Sequence, residues 1–83
     1  MAVQLRYFAS LREALGPTET VDWAPGMTLG GLRDGLIARG GAHAKALARG
    51  RALRCALSQV MADESAAVAD GAEVAFFPPV TGG

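Results

Sequence analysis

Glu73-Val74-Ala75-Phe76-Phe77-Pro78-Pro79-Val80-Thr81-Gly82-Gly83 closes the sequence, and its reading decides the fold. Val74 and Phe76 alternate with Ala75 and Phe77, the period of a strand with one buried face, and Asp70-Gly71 supplies a turn before it. Consecutive prolines fix φ, offer no N–H to a ladder and hold the preceding residue extended, so regular structure should stop at Phe77. The chain therefore divides into a folded domain over residues 1–77 and a flexible extended tail over residues 78–83. From Pro78 to Gly83 that tail spans roughly 20 Å when extended, at about 3.3 Å per residue. Pro78, Pro79, Val80 and Thr81 launch it stiffly, and Gly82 and Gly83 bring no side chains. A narrow channel would admit such an end. The terminal carboxylate, ionised at neutral pH with a pKa near 3.5, is the one distinctive reactive group in the sequence.

Working back from the tail, Val3 to Phe8 alternates with Val3, Leu5 and Tyr7 on one face and Gln4, Arg6 and Phe8 on the other, which predicts a half-buried strand. Ser10-Leu11-Arg12-Glu13 has the spacing of a capping box and predicts a short helix to Leu15, ended by Gly16-Pro17. Thr18 to Trp23 alternates again, with Val21 and Trp23 as its buried pair. Thr28 is placed to cap a helix whose Leu29, Leu32 and Leu36 form an apolar stripe, leaving Arg33, Asp34 and Arg39 off it, until Gly40-Gly41 intervenes. Ala42 to Arg49 reads as a further helical turn or two. Leu53 to Ser58 reads as a third strand with Leu53, Cys55 and Leu57 inward, and Glu73 to Phe77 as the fourth. Strand, helix, strand, helix, strand, strand gives an α+β domain: a helix on one face of a small mixed sheet.

The whole sequence is 83 residues, one small domain, with 8 basic and 8 acidic side chains and 6% aromatics. A nucleic-acid binder of this size carries a basic excess and stacking aromatics, and neither is present. A single cysteine (Cys55) and a single histidine (His43) make neither a disulfide framework nor a structural zinc site, which fits a reduced, cytoplasmic protein. No apolar run approaches the roughly 18 residues of a membrane span, and the N-terminus lacks the charged and apolar regions of a signal peptide. His43, without a carboxylate or nucleophile near it in sequence, reads as a surface or helix-end residue. Cys55 reads as a small buried hydrophobe. The carboxylates are scattered with no paired spacing, so the chain reads as holding neither metal nor cofactor and supplying no catalytic side chain.

Phe8 and Phe77 fall on the outward faces of the first and last strands, where a sheet facing water carries polar residues. Either the short helix or a second layer covers them, or they form an exposed apolar patch for a protein partner.

The final segment, with Leu5-Arg6-Tyr7-Phe8-Ala9 and Leu11-Arg12-Glu13 near the start, resembles the small subunit of molybdopterin synthase, the MoaD family. The likeness covers nearly the full chain; Ala38 to Ala52 carries little of it. Ser58-Gln59 departs from the family's usual Asn-Gln, and Ala72 stands where an acidic residue is common. The resemblance implies a β-grasp, ubiquitin-like fold and a sulfur carrier whose Gly83 carboxylate is adenylated by an E1-like enzyme with Mg-ATP, then converted to a thiocarboxylate from a persulfide donor. It further implies that the large subunit of a heterotetrameric synthase accepts the tail, supplies the catalytic side chains and passes sulfur to a cyclic pterin precursor. Phe8, Met61 and Phe77 would form the apolar contact with both partners, with Arg12 adding a polar one; Met61 and Arg12 rest on the resemblance alone. Rival readings are a carrier for thiamine, cysteine or tRNA thiolation, a ubiquitin-like binding module that is never activated, and a modifier conjugated to lysines.

Overall fold

The computed structural model describes residues 1–79. Eight elements follow one another: β1 (Ala2–Tyr7), α1 (Ser10–Leu15), β2 (Thr18–Asp22), α2 (Leu29–Ala38), α3 (Gly41–Ala46), β3 (Arg54–Leu57), β4 (Val60–Ala62) and β5 (Glu73–Phe77). The strands form one mixed sheet in the order β2-β1-β5-β3-β4. β1 and β5 run parallel at its centre, with Leu5 opposite Val74 and Tyr7 opposite Phe76. All other neighbours are antiparallel. This is the β-grasp arrangement, with the N-terminal and C-terminal strands side by side.

Alternation places the core where the sequence put it. Val3, Leu5 and Tyr7 of β1 and Val74 and Phe76 of β5 are buried against Leu29, Leu32 and Leu36 of α2, closed at the ends by Leu11 of α1 and by Leu47 after α3. Thr28 caps α2 through its side chain, which accepts a hydrogen bond from the Gly31 N–H at 3.1 Å. Gly40 and Gly41 both take positive φ after that helix and turn the chain into α3.

Several expectations need correction. No capping box forms at α1: Ala9 occupies the N-cap at φ 53° without a side-chain hydrogen bond, and Ser10 is already helical. β2 is an edge strand, so Val21 and Trp23 are only half-buried. A fifth strand, β4, follows β3 through Ser58 and Gln59, both at positive φ, a two-residue hairpin turn built without glycine. β3 starts at Arg54, leaving Leu53 before the strand and half-buried.

Arg33 is the largest departure. It lies off the leucine stripe only when that stripe is read at i+3 and i+7; it stands four residues after Leu29 and so points inward as well, at 4% exposure. Each of its three guanidinium nitrogens donates. Nε donates to the Leu47 carbonyl at 2.8 Å, Nη2 to the carbonyls of Ala48 at 2.7 Å and Arg51 at 3.1 Å, and Nη1 to Glu64 at 2.9 Å. One side chain thereby ties α2 to the segment after α3 and to the segment leading toward β5. Arg49 reinforces the tie by bonding Glu64, Asp34 and the Gly30 carbonyl.

Candidate functional site: the open sheet face and the root of the tail

The helices cover one face of the sheet, and the other is open. On it, Phe8 leaves the end of β1 at 41% exposure and meets half-buried Phe77 of β5. Their rings are edge to face, with centroids 6.3 Å apart and planes at 88°. Among the described residues neither α1 nor a second layer covers them, and the two rings lie together as a partly exposed apolar patch. The Phe8 N–H donates to the Phe76 carbonyl at 3.3 Å, which extends the β1–β5 pairing by one residue before Ala9 turns the chain away. Positive φ at a non-glycine residue is uncommon, and here, at Ala9, it follows Phe8 directly and turns the chain from β1 into α1.

Beside this pair lies a depression of about 350 Å³ lined by Arg6, Phe8, Ala56, Gln59, Met61, Glu73, Ala75 and Phe77. Small side chains from β3 and β5, Ala56 and Ala75, face each other across the ladder. Met61 of β4, opposite Ala56 in register, is 53% exposed. The Arg6 guanidinium lies 5.7 Å from the centre of the Phe8 ring and 3.6 Å from the Glu73 carboxylate. The structure therefore brings Phe8, Met61 and Phe77 to one surface. Arg12 is exposed on α1 and does not line this depression.

The tail leaves from the same surface. Pro78 lines an apolar slot with Phe8, Ala9 and Phe77, and on its other side faces Ser10, Leu11, Arg51, Ala52 and Leu53. Pro79 lines a cleft with Arg54, Cys55 and Met61. Arg51 and Arg54, which the sequence reading left unassigned, thus flank the start of the tail. Val80, Thr81, Gly82 and Gly83 lie outside the described residues.

Elsewhere the polar groups are structural. Glu19, on the inner side of β2, accepts hydrogen bonds from Tyr7 at 2.9 Å and from Arg39, and its Oε2 lies 2.9 Å from His43 Nε2. His43 thus has a carboxylate beside it after all, brought from 24 residues away. Burial pushes the Glu19 carboxyl up, but hydrogen bonds from His43, Arg39 and Tyr7 together outweigh it and hold its pKa below the ordinary value. Burial, then the bond to Glu19, raises the Tyr7 phenol well above its usual range. Hydrogen bonds from Arg49 lower Glu64. Cys55 is buried and free; burial raises its thiol, the opposite of what a nucleophile needs. Among the described residues no group of three His, Cys, Asp or Glu side chains is arranged to hold a metal. Nor is any helix long and apolar enough to cross a membrane.

The ThiS family profile matches residues 5–83. The chain belongs to the ThiS family. Two curated relatives of this ThiS-family chain are molybdopterin synthase sulfur carrier subunits. That of Escherichia coli K12 is 38% identical over 81 residues, 98% of this chain and 99% of that protein. That of Haemophilus influenzae is 38% identical over 77 residues, 93% of this chain and 94% of that one. Among solved structures, small archaeal modifier protein 1 of Haloferax volcanii superposes with a TM-score of 0.76 at 29% identity, covering 95% of this chain and 98% of that one.

Proposed function

We propose that this ThiS-family chain is the sulfur-carrier subunit of a molybdopterin synthase, with the Gly83 carboxyl as the atom group that bears the sulfur. The observation that carries the proposal is the 38% identity, over nearly the full length, to two proteins of that name.

In this reading the carboxylate oxygen of Gly83 attacks the α-phosphorus of Mg-ATP on an E1-like partner, releasing pyrophosphate and forming an acyl-adenylate. The terminal sulfur of a protein persulfide then attacks the acyl carbon and displaces AMP, and a second thiol cleaves the S–S bond of the resulting acyl disulfide, which leaves a thiocarboxylate and a protein disulfide. The large synthase subunit takes the tail and transfers the sulfur to a cyclic pterin precursor, two carrier equivalents serving one dithiolene. The chain itself binds no cofactor. Its contributions are a launch stiffened by Pro78 and Pro79, two terminal glycines that fit a narrow channel, and the Phe8–Met61–Phe77 face for docking. Arg12, exposed on α1, adds a polar contact.

A second reading is favoured by the likeness to a protein named a modifier: a lysine amine of a target protein captures the same adenylate. One experiment separates the two. The chain is incubated with its cognate adenylating enzyme, Mg-ATP and a persulfide source, then cleaved after glutamate. The carrier reading expects a gain of about 16 Da, oxygen replaced by sulfur, in the fragment that follows Glu73. Attachment to a second protein expects an isopeptide at a lysine. An unchanged fragment, with an enzyme active on a control carrier, overturns both. Deleting Gly83 should abolish the gain and leave the fold intact.

A further inference from the structure

Met61 stands apart from the other methionines. Met27 is half-buried against the core, its N–H bonded to the Ala24 carbonyl and its own carbonyl accepting from Val68. Met1 is more exposed still, but it lies at the chain start on the β2 side of the sheet, where its carbonyl accepts from the Trp23 N–H. Met61 is on β4, the strand at the opposite edge, with half its surface open to water. It lines both the depression beside Phe8 and Phe77 and the cleft beside Pro79, so it borders the docking face and the root of the tail at once.

We propose that Met61 is an oxidation site through which peroxide weakens partner docking. The proposal rests on the docking role given to this face above. A sulfur lone pair attacks one oxygen of hydrogen peroxide, the O–O bond breaks, and the second oxygen leaves as water; the thioether becomes a sulfoxide by a two-electron oxidation. An apolar, flexible side chain is thereby replaced by one bearing a strong hydrogen-bond acceptor. In the free protein water satisfies that oxygen. Docking strips the water away on a face where Phe8, Phe77, Ala56 and Ala75 offer no side-chain donor and the Arg6 guanidinium is drawn to Glu73, and the poorly satisfied acceptor lowers affinity on the order of tenfold or more. Cys55, buried and with its thiol raised, is the poorer target in the same region. A thiol-dependent methionine sulfoxide reductase reverses the change.

The test uses the full chain and the cognate large synthase subunit, with binding measured calorimetrically before and after hydrogen peroxide treatment. Sulfoxide and thiocarboxylate both add about 16 Da, so intact mass does not distinguish them. Trypsin does not either, because no Lys or Arg follows Arg54 and a single peptide spans Cys55 to Gly83. Cleavage after Glu64 and Glu73 separates Met61 from Gly83, trypsin separates Met61 from Met27, and tandem spectra place the oxygen on Met61 or Cys55.

The expected result is oxygen on Met61, affinity lower by tenfold or more, and recovery after reductase treatment. Met61→Leu, compared with its own untreated sample, should show no further loss on peroxide treatment. Unchanged affinity with Met61 fully converted overturns the proposal, as does an equal loss in the Met61→Leu variant. If the untreated chain does not bind the large subunit, the functional reading itself fails and this inference falls with it.

Discussion

Replacing Arg33 by methionine tests whether one buried guanidinium holds together the half of the molecule that the sheet does not organise. Methionine fits the volume of the stem but removes all four hydrogen bonds. Glu64 is not left alone, because Arg49 still pairs with it. The Leu47 carbonyl belongs to a fully buried residue and loses its partner, at a cost of about 1–3 kcal/mol. The carbonyls of Ala48 and Arg51 are nearer the surface and regain water, so each costs about 0.5–1 kcal/mol. Together these come to about 3 kcal/mol, large against the roughly 4–12 kcal/mol expected of a domain this size. At about 4–8 °C per kcal/mol, the melting temperature should fall by roughly 15 °C. Trp23 is a built-in reporter, half-buried with its indole N–H donating to the Val68 carbonyl, so thermal unfolding can be followed by fluorescence. Arg33→Lys keeps the charge but not the planar fork, and should recover only part of the loss. A shift below about 3 °C for the methionine variant would refute the reasoning, because it would mean that water satisfies all three carbonyls without the guanidinium.

Glu19→Gln should flatten the acid limb of stability. The folded pKa of Glu19 is depressed, so its contribution is complete above the unfolded value near 4.3 and is lost as pH falls through the lower folded value; equal slopes for wild type and variant in urea titrations between pH 2 and 5 would contradict this. Phe77→Ala should weaken large-subunit binding by about 1–3 kcal/mol in calorimetry while the fold persists, since the ring packs on the open face; unfolding without a separable binding defect would place it in the core instead. Changing Ser58-Gln59 to Asn-Gly should stabilise the chain by about 1 kcal/mol in denaturant melts, because both residues occupy positive φ, and a destabilised variant would show that their side chains matter more than their backbone.

Much of this molecule is legible without coordinates because alternation and capping are strong local signals. Val3, Leu5 and Tyr7, Thr28 at its cap, and Val74 and Phe76 all fall where period and spacing place them. The outward Phe8 and Phe77 were equally readable, since polar residues are the rule on a wet face. What escaped was non-local. β4 is three residues long, too short for any period, and exists because a turn without glycine folds it onto β3. Glu19 follows the same alternation as Val21, which marks it as inward, but its partners come from α2 and α3 and from β1. Arg33 was hidden by its charge, although its place four residues after Leu29 was a usable signal. Arg51 comes to the tail through the packing of a loop, and Arg54 through the pairing of β3 with β5, which sets it opposite Phe77.

The central position of β5 has a mechanical consequence. Its residues are paired on one side with β1 and on the other with β3, and it is the strand from which the tail departs. A pull transmitted through Pro78 therefore acts along β5 and loads both ladders in shear, so their bonds share the force instead of opening one after another. A domain held by Pro78 thus resists a pull with two whole ladders at once, and should keep its fold under a load that would peel away an edge strand.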